Sequence, residues 1–67
     1  MVTLTINGEG RTFEDALDVA ALIARLKLDA RKVAVERNLA IVPRSAYART
    51  HLTEGDRIEI VHFIGGG

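Results

Sequence analysis

The sequence predicts an α+β fold in which a mixed β-sheet grips a single helix. Three observations predict it. Residues 1–6 alternate, with Val2, Leu4 and Ile6 on one side and Thr3 and Thr5 on the other, the period of a half-buried strand. Val19, Leu22, Ile23 and Leu26 fall at i, i+3, i+4 and i+7, one apolar stripe whose use is to lie across a sheet. A strand-like run, Ile58-Glu59-Ile60-Val61-His62-Phe63-Ile64, then passes without a linker into Gly65-Gly66-Gly67.

Length and charge narrow the function classes. The 67 residues allow one domain with one small core, near the lower limit for folding without staples. Cysteine is absent, so neither a disulfide framework nor a CxxC metal or redox site exists. Nine basic residues balance nine acidic ones, which leaves no excess of cations to displace the counterions of a nucleic acid. There is no signal peptide and no apolar run of spanning length, so a cytoplasmic protein is expected.

In chain order, the first strand ends at Asn7-Gly8-Glu9-Gly10, where Asn-Gly supplies the positive φ of a tight hairpin. Arg11-Thr12-Phe13 should return as a short antiparallel edge strand. Asp18 is placed to cap the helix, its carboxylate accepting from free N–H groups of the first turn. Arg25 and Lys27, off the stripe, suit the C-terminal end of the dipole. Leu17 and Leu28 should close the two ends of the core. Lys32 to Glu36 reads as a third strand with Val33 and Val35 inward, and Arg37-Asn38-Leu39-Ala40 as the next reversal, turned by Asn38. Ile41-Val42 can form only a short strand, because Pro43 removes a donor and belongs at an edge. Ser45 to Ala48 reads as one helical turn, with the Tyr47 ring on the core and its hydroxyl in water. Glu54-Gly55-Asp56 is a polar turn that launches the last strand. There Ile58 and Ile60 face inward, while Glu59, Val61 and Phe63 face the other way.

Two hairpins around one helix in so short a chain suggest the β-grasp, or ubiquitin-like, fold. By analogy the first and last strands lie side by side and parallel in the centre of the sheet. The division expected is a β-grasp domain over 1–64 and a flexible glycine tail over 65–67. Half of the six glycines stand in that tail. Three thin, unbranched residues reach roughly 10 Å when extended and are free at φ. They could carry the α-carboxylate of Gly67 into a narrow active site on another protein. A frayed end or a cloning scar would read the same way.

Other candidate sites weigh less. His51 and His62 have no metal-ligand spacing, and no nucleophile elbow surrounds Ser45. Gly8, Gly10 and Gly55 read as turn residues. Arg44 reads as a solvated charge. Val61 and Phe63 form an apolar patch beside the tail, which suits a docking surface or a strand end covered by a loop.

Several stretches carry a resemblance. Lys32-Val33-Ala34-Val35-Glu36-Arg37-Asn38, Ile41-Val42-Pro43-Arg44-Ser45 with Tyr47-Ala48, Glu54 to Val61 and the closing Gly66-Gly67 resemble the ThiS family of thiamine-biosynthesis sulfur carriers. Leu4 to Gly8 and the Val19–Leu26 helix fit it too, so the resemblance covers essentially the whole chain. Its most specific parts are Ile-Val-Pro-Arg, Glu-Gly-Asp and the terminal Gly-Gly. Tyr47 stands where members often have tryptophan, and Leu39 where they often have glycine after the turn asparagine. These departures touch packing and turn geometry only.

The resemblance implies a carrier and not an enzyme. Gly67 would be adenylated with ATP and magnesium by a ThiF-type adenylyltransferase, a relative of ubiquitin-activating enzymes. A cysteine desulfurase or other persulfide source would convert it to a thiocarboxylate, and a ThiG-type thiazole synthase would take the sulfur. Gly65 and Gly66 would thread the partners' sites, with Val61 and Phe63 docking beside them. No metal or cofactor would be bound. Two alternatives stay open. One is the sulfur carrier that forms the small subunit of molybdopterin synthase, whose chains tend to be longer and lack Ile-Val-Pro-Arg. The other is a ubiquitin-like interaction module or modifier, whose tail would be inert or joined to lysines.

Overall fold

The computed structural model describes residues 1–63. The N-terminal alternation becomes β1 (Val2–Ile6), with Val2, Leu4 and Ile6 buried, and it pairs antiparallel with β2 (Glu9–Phe13). The reversal takes only two residues, Asn7 at φ 49 and Gly8 at φ 85, the positive pair a type I′ turn requires. Glu9 and Gly10 are therefore strand residues and not part of the turn, as the sequence had suggested. Gly10 pairs with Thr5.

The stripe becomes α1 (Val19–Arg25), which buries Val19, Leu22 and Ile23. Asp18 caps it, accepting from the Ala21 N–H at 2.7 Å. Its C-terminal end is closed by two bonds, Leu28 N–H to the Ile23 carbonyl and Lys27 N–H to the Ala24 carbonyl, both 3.0 Å. That is a Schellman closure with Lys27 at φ 62, where glycine is usual. Residues 17–19 are also tied to the segment before the last strand, by Val19 N–H to Thr50 O and Leu52 N–H to Leu17 O.

A short 3₁₀ turn over Ala30–Lys32 takes in Lys32, which the sequence had assigned to the strand. Then come β3 (Val33–Arg37), a second two-residue reversal at Asn38 and Leu39, and β4 (Ala40–Val42). Arg44–Arg49 forms a 3₁₀ helix, longer than the single turn expected, and β5 (Arg57–His62) follows. Tyr47 differs from expectation. Its hydroxyl is not in water but buried, aimed at the Val33 carbonyl 3.5 Å away.

The sheet order is β2-β1-β5-β3-β4. The last strand thus lies in the middle, parallel to β1 and antiparallel to β3. This is the β-grasp arrangement expected from the two hairpins. Leu4, Val19, Leu22, Val35 and Ile58 are the most completely enclosed side chains between sheet and helix. Burying each stabilises the fold by roughly 1.5–3 kcal/mol. No helix among the described residues is long and apolar enough to cross a membrane.

Candidate functional site

The expected working end, Gly65 to Gly67, lies outside the described residues, as does the proposed boundary after residue 64. What the structure gives is the strand that leads to it. Because β5 is central, it is bonded on both sides. Toward β1 the pairing covers Thr5 with Arg57 and Ile6 with Ile58. Toward β3 it runs from Arg37 with Ile58 to Val33 with His62. Phe63 is held as well, its N–H donating to the Lys32 carbonyl at 2.9 Å.

Beyond Ile6 the chain turns away, and a side chain takes over the pairing. The Asn7 Oδ1 accepts from the Ile60 N–H at 2.8 Å, and its Nδ2 donates to the Ile60 carbonyl at 3.2 Å. The amide imitates the peptide group of a neighbouring strand. Asn7 thus serves both the tight turn and the anchoring of the C-terminal strand.

The start of β5 is fixed by Asp56, which is only 6% exposed. It accepts from Arg37 Nε at 2.9 Å, Asn38 Nδ2 at 3.0 Å, and the N–H and hydroxyl of Thr53 at 2.8 and 3.2 Å. Burial works to raise its carboxyl. The bonds from Thr53, Asn38 and Arg37, with the Arg37 charge, outweigh burial and hold it below its ordinary value of 3.8. Asn38 adds a second tie, its Oδ1 accepting from the Arg57 N–H at 2.9 Å.

The outer face of the sheet carries the expected patch. Val61 is 61% and Phe63 52% exposed, and no loop among the described residues covers them. Ala34 stands opposite Val61, and Ile41 lies exposed on β4. Glu36 and Glu59 are directly opposite each other on the same face. Like charges in that register are unfavourable to folding, so stability alone does not account for this face.

The remaining candidates stay apart. No group of three His, Asp or Glu side chains that could hold a metal occurs among the described residues. Ser45 and His51 are exposed, and Arg44 donates to the Arg31 carbonyl at 3.2 Å. Gly55, at φ 84, is the turn residue expected. Sequence reasoning missed the roles of Asn7 and Asp56. The first was read only as a turn residue and the second as part of a polar turn.

Comparison with known proteins adds the following. A model of the ThiS family matches residues 4–67. The sulfur carrier protein ThiS of Bacillus subtilis is 38% identical over 65 residues, which are 96% of this chain and 98% of that one. The thiazole synthase of Paramagnetospirillum magneticum is 58% identical over 64 residues, and the chain spans only 20% of its length. The crystal structure of the thiamine biosynthesis protein ThiS from Geobacter metallireducens superposes with a TM-score of 0.85 at 36% identity, covering 98% of this chain and 100% of that one.

Proposed function

The chain belongs to the ThiS family, and from that premise we propose that it is a sulfur carrier for the thiazole moiety of thiamine. The observation that carries the reading is that the family match runs through Gly66 and Gly67. The geometry supports it, because the central strand of the sheet leads to those residues and is pinned toward β3 up to Phe63 and toward β1 up to Ile60. A rigid base of that kind aims a thin tail at a partner.

The chemistry follows from the carboxylate. It is a poor electrophile with no good leaving group. A ThiF-type adenylyltransferase, using ATP and magnesium, would join it to AMP and release pyrophosphate. A persulfide sulfur would then attack the acyl carbon and expel AMP, and cleavage of the S–S bond by a thiol would leave the thiocarboxylate on Gly67. Thiazole synthase is the proposed recipient. The similarity to a stretch inside a thiazole synthase polypeptide supports that pairing. The chain would be a co-substrate, with its partners supplying the catalytic groups.

Deleting Gly67, or replacing Gly66 with isoleucine, tests the tail. Both variants should melt like the parent, because among the described residues the last buried one is Ile60. Both should lose thiazole formation in a reaction with purified partners. The identity of the C-terminal residue is checked by mass in the same samples. Thiazole formation at the parental rate in either variant would contradict the proposal.

A further inference from the structure

Resting on the sulfur-carrier reading, we infer that thiazole synthase engages this chain by adding an extended strand to the open edge of β5 at His62. The hydrogen bonds along β5 alternate in direction. The Arg57 carbonyl accepts from the Asn38 N–H at 2.7 Å and the Phe63 N–H donates to the Lys32 carbonyl at 2.9 Å, so odd-numbered peptide groups face β3. The Ile58 carbonyl accepts from the Asn7 N–H at 2.9 Å, and Ile60 is bonded to the Asn7 amide, so even-numbered groups face β1. His62 is the next even position. Its N–H and C=O point along the same edge, where the pairing with β1 has ended at Ile58 and no strand among the described residues stands opposite. The Asn7 amide already occupies Ile60 as a neighbouring strand would. The edge is therefore set in a pairing conformation one step before it becomes free.

A place for side chains lies next to that edge. On the helix side a groove of about 300 Å³ has Ile6, Leu26, Leu28 and Ile60 as its apolar lining, with Glu9, Arg11 and His62 itself in its polar lining. A strand laid beside His62 sends alternate side chains to the two faces of the sheet. One apolar side chain enters the groove, and polar neighbours meet Glu9 and Arg11. Backbone pairing would supply the affinity and the groove the selectivity. His62 precedes Gly67 by five positions (62 to 67), roughly 17 Å of fully extended chain. A protein that receives Gly67 in its active site is thus within reach of this edge. Pairing there would fix the direction in which the tail enters.

The experiment uses the full chain and purified thiazole synthase. Amide exchange of His62 in the parent protein should slow at least tenfold when thiazole synthase is added. His62→Pro removes the one N–H among the described residues aimed at the open edge and leaves the β3 ladder, which uses Val61 and Phe63, in place. It should bind thiazole synthase about tenfold more weakly than His62→Ala, which trims the ring but keeps the N–H. Equal affinities of a folded His62→Pro and His62→Ala would overturn the inference. If His62→Pro does not fold, exchange in the parent protein decides alone. Binding without slowed exchange at His62 overturns the inference and leaves the carrier reading standing. Slowing by the adenylyltransferase alone overturns the choice of partner. Failure of the parent protein to bind thiazole synthase at all overturns the carrier reading too.

Discussion

Asp56→Ala removes a 6%-exposed carboxylate that accepts four hydrogen bonds, and it strands the Thr53 N–H and the Arg37 guanidinium. Leaving those donors without their acceptor costs about 1–3 kcal/mol, and chemical denaturation should read that loss directly. The pH dependence has a definite sign. Asp56 is held below 3.8, and Asp29 is held at about 2, chiefly by its hydrogen bond from the Arg31 side chain. Both are depressed, so their contribution is whole above the unfolded value and fades as pH falls below about 4. The urea midpoint should be level near neutrality and drop between pH 4 and 2, and Asp56→Ala should make that fall shallower. Leu39 makes the opposite prediction. It is 77% exposed and sits at φ 72, where a side chain is strained. Leu39→Gly should stabilise the fold by about 1 kcal/mol, raising Tm by roughly 4–8 °C. An unchanged or lower Tm would show that the turn carries no strain.

Among the elements, β5 divides sharply by face. Ile58 and Ile60 are buried on one side, and Val61 and Phe63 are open on the other. Phe63→Asp should therefore leave Tm nearly unchanged and weaken binding to the adenylyltransferase or to thiazole synthase, because an aspartate would be desolvated where an apolar contact is expected. Loss of the fold would move Phe63 into the core. This face was legible in the sequence, since alternation alone divides residues 58–63. So were both hairpins, because Asn-Gly and Asn38 are local turn signals, and α1, whose cap and stripe lie within nine residues of each other, Asp18 to Leu26. With seven residues, α1 is too short to hold without its tertiary contacts. Its Schellman end at Lys27 was not legible, because lysine does not advertise a positive φ.

For the whole molecule, what escaped the sequence is what joins distant parts of it. The Asn7 clasp spans 53 positions and the Arg37–Asp56 pair 19. Neither leaves a periodic or local trace, and Tyr47 buries its hydroxyl only because Val33 happens to lie behind it. The parallel contact of β1 with β5 was reached by analogy of fold, and it is the contact that makes the C-terminal strand central. Incubated with its adenylyltransferase, ATP, magnesium and a persulfide source, the protein should gain the mass of one sulfur less one oxygen. Fragmentation should place the change on Gly67, since the chain has no cysteine to hold a persulfide. Omitting ATP should prevent it. A gain without ATP, or a gain on an internal residue, would contradict the claim that this chain carries sulfur at its C-terminal carbonyl.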